Sequence, residues 1–235
     1  MKSNKDQIEA IAKSYDKGID MGRKGIDLYE NLPEEITNHP DYVLFEKMKY
    51  DGNLSDSGRK EILDYLLPEK GMKFVDLGCC LNLMFRGYES WPSTYYGVDI
   101  SSKTIDLLRS FTAENDIKIG DLYHGSMSET PYAENFFDIG ACIGSLEYFE
   151  KDFVEKAIAE AHKIIKPYGR YVIDIPNMGT PEFQITARIE EYLGRPDRFN
   201  MSIGEFEVML ADYFEVRQKE EVGPMIQYFL VNLEN

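Results

Sequence analysis

Two carboxylates and a glycine carry most of the chemistry legible in this sequence. Val75-Asp76-Leu77-Gly78-Cys79-Cys80-Leu81-Asn82 ends an apolar run in a turn, and Tyr96-Gly97-Val98-Asp99 ends the next run in an acid. An acid about 20 residues beyond a glycine turn is placed to accept the hydroxyl protons of a ribose. The competing role for Asp99 is capping a helix that starts near Ser102; the coincidence of strand, turn, helix and acid argues for the ribose. Cys79, Cys80 and Cys142 are the three cysteines. Thiolates from neighbouring strands would suit a soft metal, but adjacent residues point apart and a free cysteine is commonly a small buried hydrophobe, so no metal is expected. His124 ends a strand near the same turn and reads as a hydrogen-bonded structural histidine, and His162 as a solvated one. Asn177 either orients a substrate or simply turns the chain after Pro176. Arg188, Arg195 and Arg198 read as a solvated helix face.

These residues need strands and helices to hold them. Lys73–Leu77, Thr94–Val98, Ile117–Tyr123, Phe136–Cys142 and Gly169–Ile175 read as strands. Amphipathic helices are expected over Ser102–Glu114 and Lys151–Lys166, the second stopped by Pro167. Strands alternating with helices imply a parallel, doubly wound α/β sheet, since parallel neighbours need a crossover. A helix over Ser202–Ala211 is followed by Tyr213–Val222 and Met225–Leu233, separated only by Gly223-Pro224. Two residues hold no crossover, so these form an antiparallel hairpin and complete a mostly parallel seven-stranded sheet. Residues 4–30 show a weaker helical stripe broken by Gly18, Gly22 and Gly25. A short helix is expected around Tyr42–Lys49, and another, capped by Ser55 or Asp56, running to about Leu67.

Composition narrows the partners. Hydrophobic residues make up 43% of 235, enough for a core, and 26 basic against 42 acidic residues give a net charge of −16. Nucleic-acid binding needs a basic footprint, so it is disfavoured. Apolar runs are far short of the roughly 18 residues that cross a bilayer, and the first residues lack the apolar core of a signal peptide. A cytoplasmic protein without a membrane partner is expected; the oligomeric state is not legible.

In order along the chain, Val75-Asp76-Leu77-Gly78, Asp99, His124-Gly125-Ser126-Met127, Phe137-Asp138-Ile139, Leu146-Glu147-Tyr148 and Ile165-Lys166-Pro167-Tyr168-Gly169 resemble the motifs of class I S-adenosylmethionine-dependent methyltransferases. The resemblance spans about residues 72–233. It implies a Rossmann-like domain over 71–235 with a lid insertion at about 178–201, and a helical lid formed by residues 1–70. It implies S-adenosyl-L-methionine as cofactor, with Asp76, Gly78, Cys80, Asp99, Ile100, Ser126, Met127 and Cys142 binding it. Asp99 would hold the ribose, Gly78 and Cys80 would pass the methionine part, Met127 would cover adenine, and Cys142 would meet the amino-acid end through its backbone. Tyr15, Tyr148 and Asn177 would face the acceptor, a small molecule; no catalytic base is assigned. The glycine loop departs from the family's three glycines at Cys80 and Asn82. Asn82 is expected to keep the turn, since Asn tolerates the left-handed region. That loop disfavours NAD, whose pyrophosphate presses on the backbone, but admits a non-catalytic or repurposed S-adenosylmethionine-binding protein. A protein or RNA acceptor is a further alternative, RNA being opposed by the charge.

Overall fold

The computed structural model describes residues 4–50 and 59–234. In chain order these form α1 (Asn4–Gly22), α2 (Glu34–Thr37), α3 (Tyr42–Tyr50), α4 (Lys60–Leu66), β1 (Lys73–Leu77), α5 (Asn82–Phe85) and β2 (Thr94–Asp99). Then follow α6 (Ser102–Glu114), β3 (Asp121–His124), β4 (Phe137–Cys142), α7 (Lys151–Ile164), β5 (Ile165–Pro176), α8 (Pro181–Tyr192), α9 (Ile203–Ala211), β6 (Phe214–Val222) and β7 (Met225–Asn232). The expected caps Ser55 and Asp56 lie outside the described residues.

The sheet has the order β3-β2-β1-β4-β5-β7-β6. The strands β3, β2, β1, β4 and β5 pair in parallel, whereas β7 runs antiparallel to both β5 and β6. Alternate residues of each strand face opposite layers. Val75, Leu77 and Cys142 belong to the apolar cluster with α7 and α9; Phe74, Ile139 and Ala141 belong to the one with α4 and α6. Full burial of a side chain such as Val75 or Ile105 contributes about 1.5–3 kcal/mol. A third cluster joins α2, α3 and α8 through Ile36, Phe45, Ile185 and Ile189.

Two boundaries and the burial of one histidine stand out against the sequence expectation. Strand β3 begins at Asp121, because its pairing with β2 starts at Tyr96↔Asp121 and the alternating residues 117–120 precede it. Helix α7 ends at Ile164, not Lys166: the residue before a proline avoids helical angles, and Ile165 instead pairs with Phe137 as the first residue of β5. His162 is half-buried rather than solvated; its Nδ1 meets Asn232 Oδ1 at 2.7 Å, and its ring lies against Tyr213. Among the described residues, no helix is long and apolar enough to cross a membrane.

Candidate active site

Reversal of the chain after β1 builds the floor of the site. Gly78 has φ +70°, and the amides of Gly78 and Cys79 both donate to the Val98 carbonyl at 2.9 Å. A Cβ at Gly78 would stand 2.2 Å from Ser145 Oγ, so this position needs glycine for space as well as conformation. Cys80, at φ +39°, is a second residue of the loop with positive φ; Asn82 has none and opens α5. Asn82 instead donates its side-chain amide to Asp76 at 3.2 Å, where Tyr95 also donates its hydroxyl at 3.0 Å. Burial raises the Asp76 carboxyl to about 7, although both of these hydrogen bonds favour its charged form.

Asp99 closes β2 at the sheet's carboxyl edge. Its Oδ2 accepts from the Cys80 amide and its Oδ1 from the Ser101 amide, both at 2.8 Å. Burial raises it to about 6 against those same hydrogen bonds. The helix cap is Ser101, whose hydroxyl accepts from the Thr104 amide. His124 Nε2 lies 3.1 Å from the Ile100 carbonyl.

Above this edge lies a cavity of about 550 Å³, within the range of small-molecule sites. It runs from Asp99, Ile100 and Met127 past Gly78 and Cys80 to Asp174 and the β6–β7 turn. Helices α1 and α8 roof it through a polar chain. The Tyr15 hydroxyl donates to Tyr148 Oη at 3.2 Å, Tyr148 donates to Glu190 at 3.4 Å, and Arg195 grips Glu190 with two N–H groups at 2.6 and 3.2 Å. The Arg195 guanidinium also lies 4.8 Å from the Tyr15 ring centre. Arg195, 6% exposed, is therefore a buried part of the roof rather than a solvated face.

The structure thus brings Tyr15, Gly78, Cys80, Asp99, Ile100, Met127 and Tyr148 to one cavity wall and leaves four expected residues off it. Asp76 points beneath the loop at Asn82 and Tyr95. Ser126 turns to Ser128, their hydroxyls 2.8 Å apart. Cys142 is fully buried with its thiol 3.7 Å from the Met127 sulfur. Asn177 is the turn residue: its amide donates to the Pro224 carbonyl, and its own carbonyl accepts from Thr180. Cys79 and Cys142 lie in the two different apolar clusters, which separates the thiols, and no three described His, Cys, Asp or Glu residues are grouped to hold a metal. Sequence reasoning passed over Glu147, Asp174 and Glu190 as site residues. Only Glu147 had a signal, its place in Leu146-Glu147-Tyr148.

A seven-stranded sheet of this order, with a glycine turn after its first strand and an acid ending its second, has the fold of class I S-adenosylmethionine-dependent methyltransferases. Residues 75–173 match the family model described as Methyltransferase domain. A demethylmenaquinone methyltransferase of Bacillus mycoides (strain KBAB4) is 23% identical over 150 residues. That match covers 62% of this chain and 59% of the relative, less than two thirds of its length. Geranyl diphosphate C-methyltransferase from Streptomyces coelicolor A3(2), in complex with Mg2+, geranyl diphosphate and S-adenosyl-L-homocysteine, superposes with a TM-score of 0.67 at 14% identity. Here the match covers 97% of this chain and 98% of the other. The [4+2]-cyclase SpnF has a TM-score of 0.57 at 14% identity, covering 74% of this chain and 79% of its own. One fold therefore carries different chemistries among these neighbours.

Proposed function

We propose that this chain is an S-adenosylmethionine-dependent methyltransferase acting on a small-molecule acceptor. The observation that carries the proposal is the single cavity joining Asp99 and Met127 to the glycine turn and to Tyr15 and Tyr148. The site's residues fit the cofactor: Gly78 leaves backbone open where any Cβ would collide with Ser145, and the Asp99 carboxylate reaches the cavity. Asp99 would accept the ribose hydroxyls, Ile100 and Met127 would flank adenine, and Gly78 with Cys80 would line the methionine part. Asp76 acts from below by fixing Asn82 and hence the start of α5. When bound, the cofactor supplies an electrophilic methyl on a sulfonium. The protein's part is to hold the acceptor in line with it and to keep water out, the latter through the roof of α1 and α8.

Calorimetric titration with S-adenosylmethionine, S-adenosylhomocysteine and NAD tests this reading. The first two are expected to bind and NAD to fail. Asp99→Ala should weaken both by about tenfold to a hundredfold, the worth of hydrogen bonds to a charged group at about 1.5–3 kcal/mol. Affinity should also fall as pH drops through about 6, where Asp99 takes up its proton, and the variant should lose that dependence. Unchanged affinity in Asp99→Ala would remove the ribose assignment.

A further inference from the structure

The charges around the cavity are unevenly matched. Asp27 is engaged by Lys49 at 2.7 Å and Glu190 by Arg195 at 2.6 Å. Of the other described ionisable groups on the wall, Asp99, Glu147, Asp174 and Asp197 stand against Arg59 and Arg86. Arg59 is already paired with Glu61; Arg86 donates to the Asn82 side chain at 2.8 Å, but its buried Nη1 has no partner among the described residues. Asp99 belongs to the ribose end, which leaves Glu147, Asp174 and Asp197 toward the other. Each of the latter two has one backbone donor: the Gly144 amide reaches Asp174 and the Phe199 amide reaches Asp197. Glu147 differs from these two, because its Oε2 is buried with no hydrogen-bond partner among the described residues.

An orphaned buried carboxylate oxygen leaves its desolvation uncompensated unless it takes up a proton or a ligand donates to it. The same wall presents the rings of Tyr15, Tyr148, Phe149 and Phe153, whose faces attract a cation and whose area suits an apolar body. We infer that the acceptor is an amine carrying an apolar group, bound as its ammonium ion with one N–H donated to Glu147. This deepens the methyltransferase reading and rests on it. An anionic acceptor would bring no proton to the orphaned Glu147 oxygen.

The step balances with this chain's own groups. The ammonium gives one proton to the Glu147 carboxylate, and the freed nitrogen lone pair forms the new N–CH3 bond. The S–CH3 bond breaks as it forms, its electron pair staying on sulfur. Burial, and next the Asp174 carboxylate, hold the Glu147 carboxyl well above the usual carboxylate range in the free site; the ammonium bound beside it is the opposite charge that favours the carboxylate form able to accept the proton.

The test is calorimetric titration of the full chain, saturated with S-adenosylhomocysteine, with phenethylamine, 2-phenylethanol and phenylacetate, probes of similar size and different charge. The amine is expected to bind at least about tenfold more tightly than the alcohol, and the acid to bind most weakly. Glu147→Gln should erase the preference for the amine and leave S-adenosylhomocysteine affinity unchanged. Equal binding of amine and alcohol, tighter binding of the acid, or no binding of the amine would each overturn the inference. So would Glu147→Gln weakening S-adenosylmethionine relative to S-adenosylhomocysteine while sparing the amine, since Glu147 would then serve the sulfonium. If S-adenosylhomocysteine itself fails to bind, the methyltransferase reading falls first and this inference with it.

Discussion

Replacing Gly78 by alanine isolates the physics of the turn on which the site depends. Its φ of +70° lies in the left-handed region, where an L side chain costs about 1–2 kcal/mol. The added methyl would also stand 2.2 Å from Ser145 Oγ and 2.8 Å from Ser145 Cβ. A rotamer change moves the hydroxyl, but the Cβ is fixed to the backbone, so overpacking of about 1–3 kcal/mol remains. Against this, alanine restricts the unfolded chain and returns about 0.4–1 kcal/mol. The net loss is about 1–4 kcal/mol, with each kcal/mol lowering the melting midpoint by about 2–4 °C in a chain of this size. The clash has one named partner, so a double-mutant cycle separates it from the backbone term. Combining Gly78→Ala with Ser145→Gly should recover about 1–3 kcal/mol beyond additivity, measured by urea unfolding. Additivity within about 0.5 kcal/mol would refute the steric account. Stability of Gly78→Ala equal to that of the wild type would refute the conformational one as well.

Three further outcomes are expected. A buried carboxyl raised to about 7 gives stability that is complete below the unfolded value of 3.8 and is lost as pH rises through about 7. The stability difference between Asp76→Asn and wild type should therefore shift toward the variant from pH 5 to pH 8; a shift the other way would mean that Asp76 is charged in the folded protein. Cys80→Gly should leave S-adenosylhomocysteine affinity equal or improved, because it relieves a φ of +39° and opens the cavity wall. A tenfold loss would show that the thiol contributes directly. Bound S-adenosylhomocysteine should slow amide exchange most in residues 8–22 and 178–201 and least in α7, whose face is packed in the main core. Slow exchange at residues 8–22 in the free protein, unaltered by ligand, would make α1 fixed scaffold.

Most of the sheet was legible because its signals are local. Runs such as Phe74–Leu77, apolar but for Asp76, and Gly140–Cys142 are buried on both faces, and Gly223-Pro224 leaves no room for a crossover. The limits of β3 and α7 were not, since they depend on where a neighbouring strand begins to pair. Residues that the structure brings to the cavity wall, Asp99 above all, were marked by their order along the chain. The roof did not. Arg195 and Glu190 lie five residues apart across the end of α8, and nothing in that spacing says that both turn inward, toward Tyr148 in the turn after β4 and Tyr15 on α1. Asn82 was misread for a related reason: its use lies in a side-chain hydrogen bond to Asp76, invisible to a rule about backbone angles.

The two margins of the sheet bear on how copies of this chain can meet. One margin is β3, only 4 residues long. The other is β6, where Glu215, Arg217, Lys219 and Glu221 are exposed and the register shifts between Val216 and Gln218. Shortness, charge and a bulge are the devices that stop unpaired strand edges from recruiting further strands. Continuous sheets spanning two molecules are thus disfavoured at both ends.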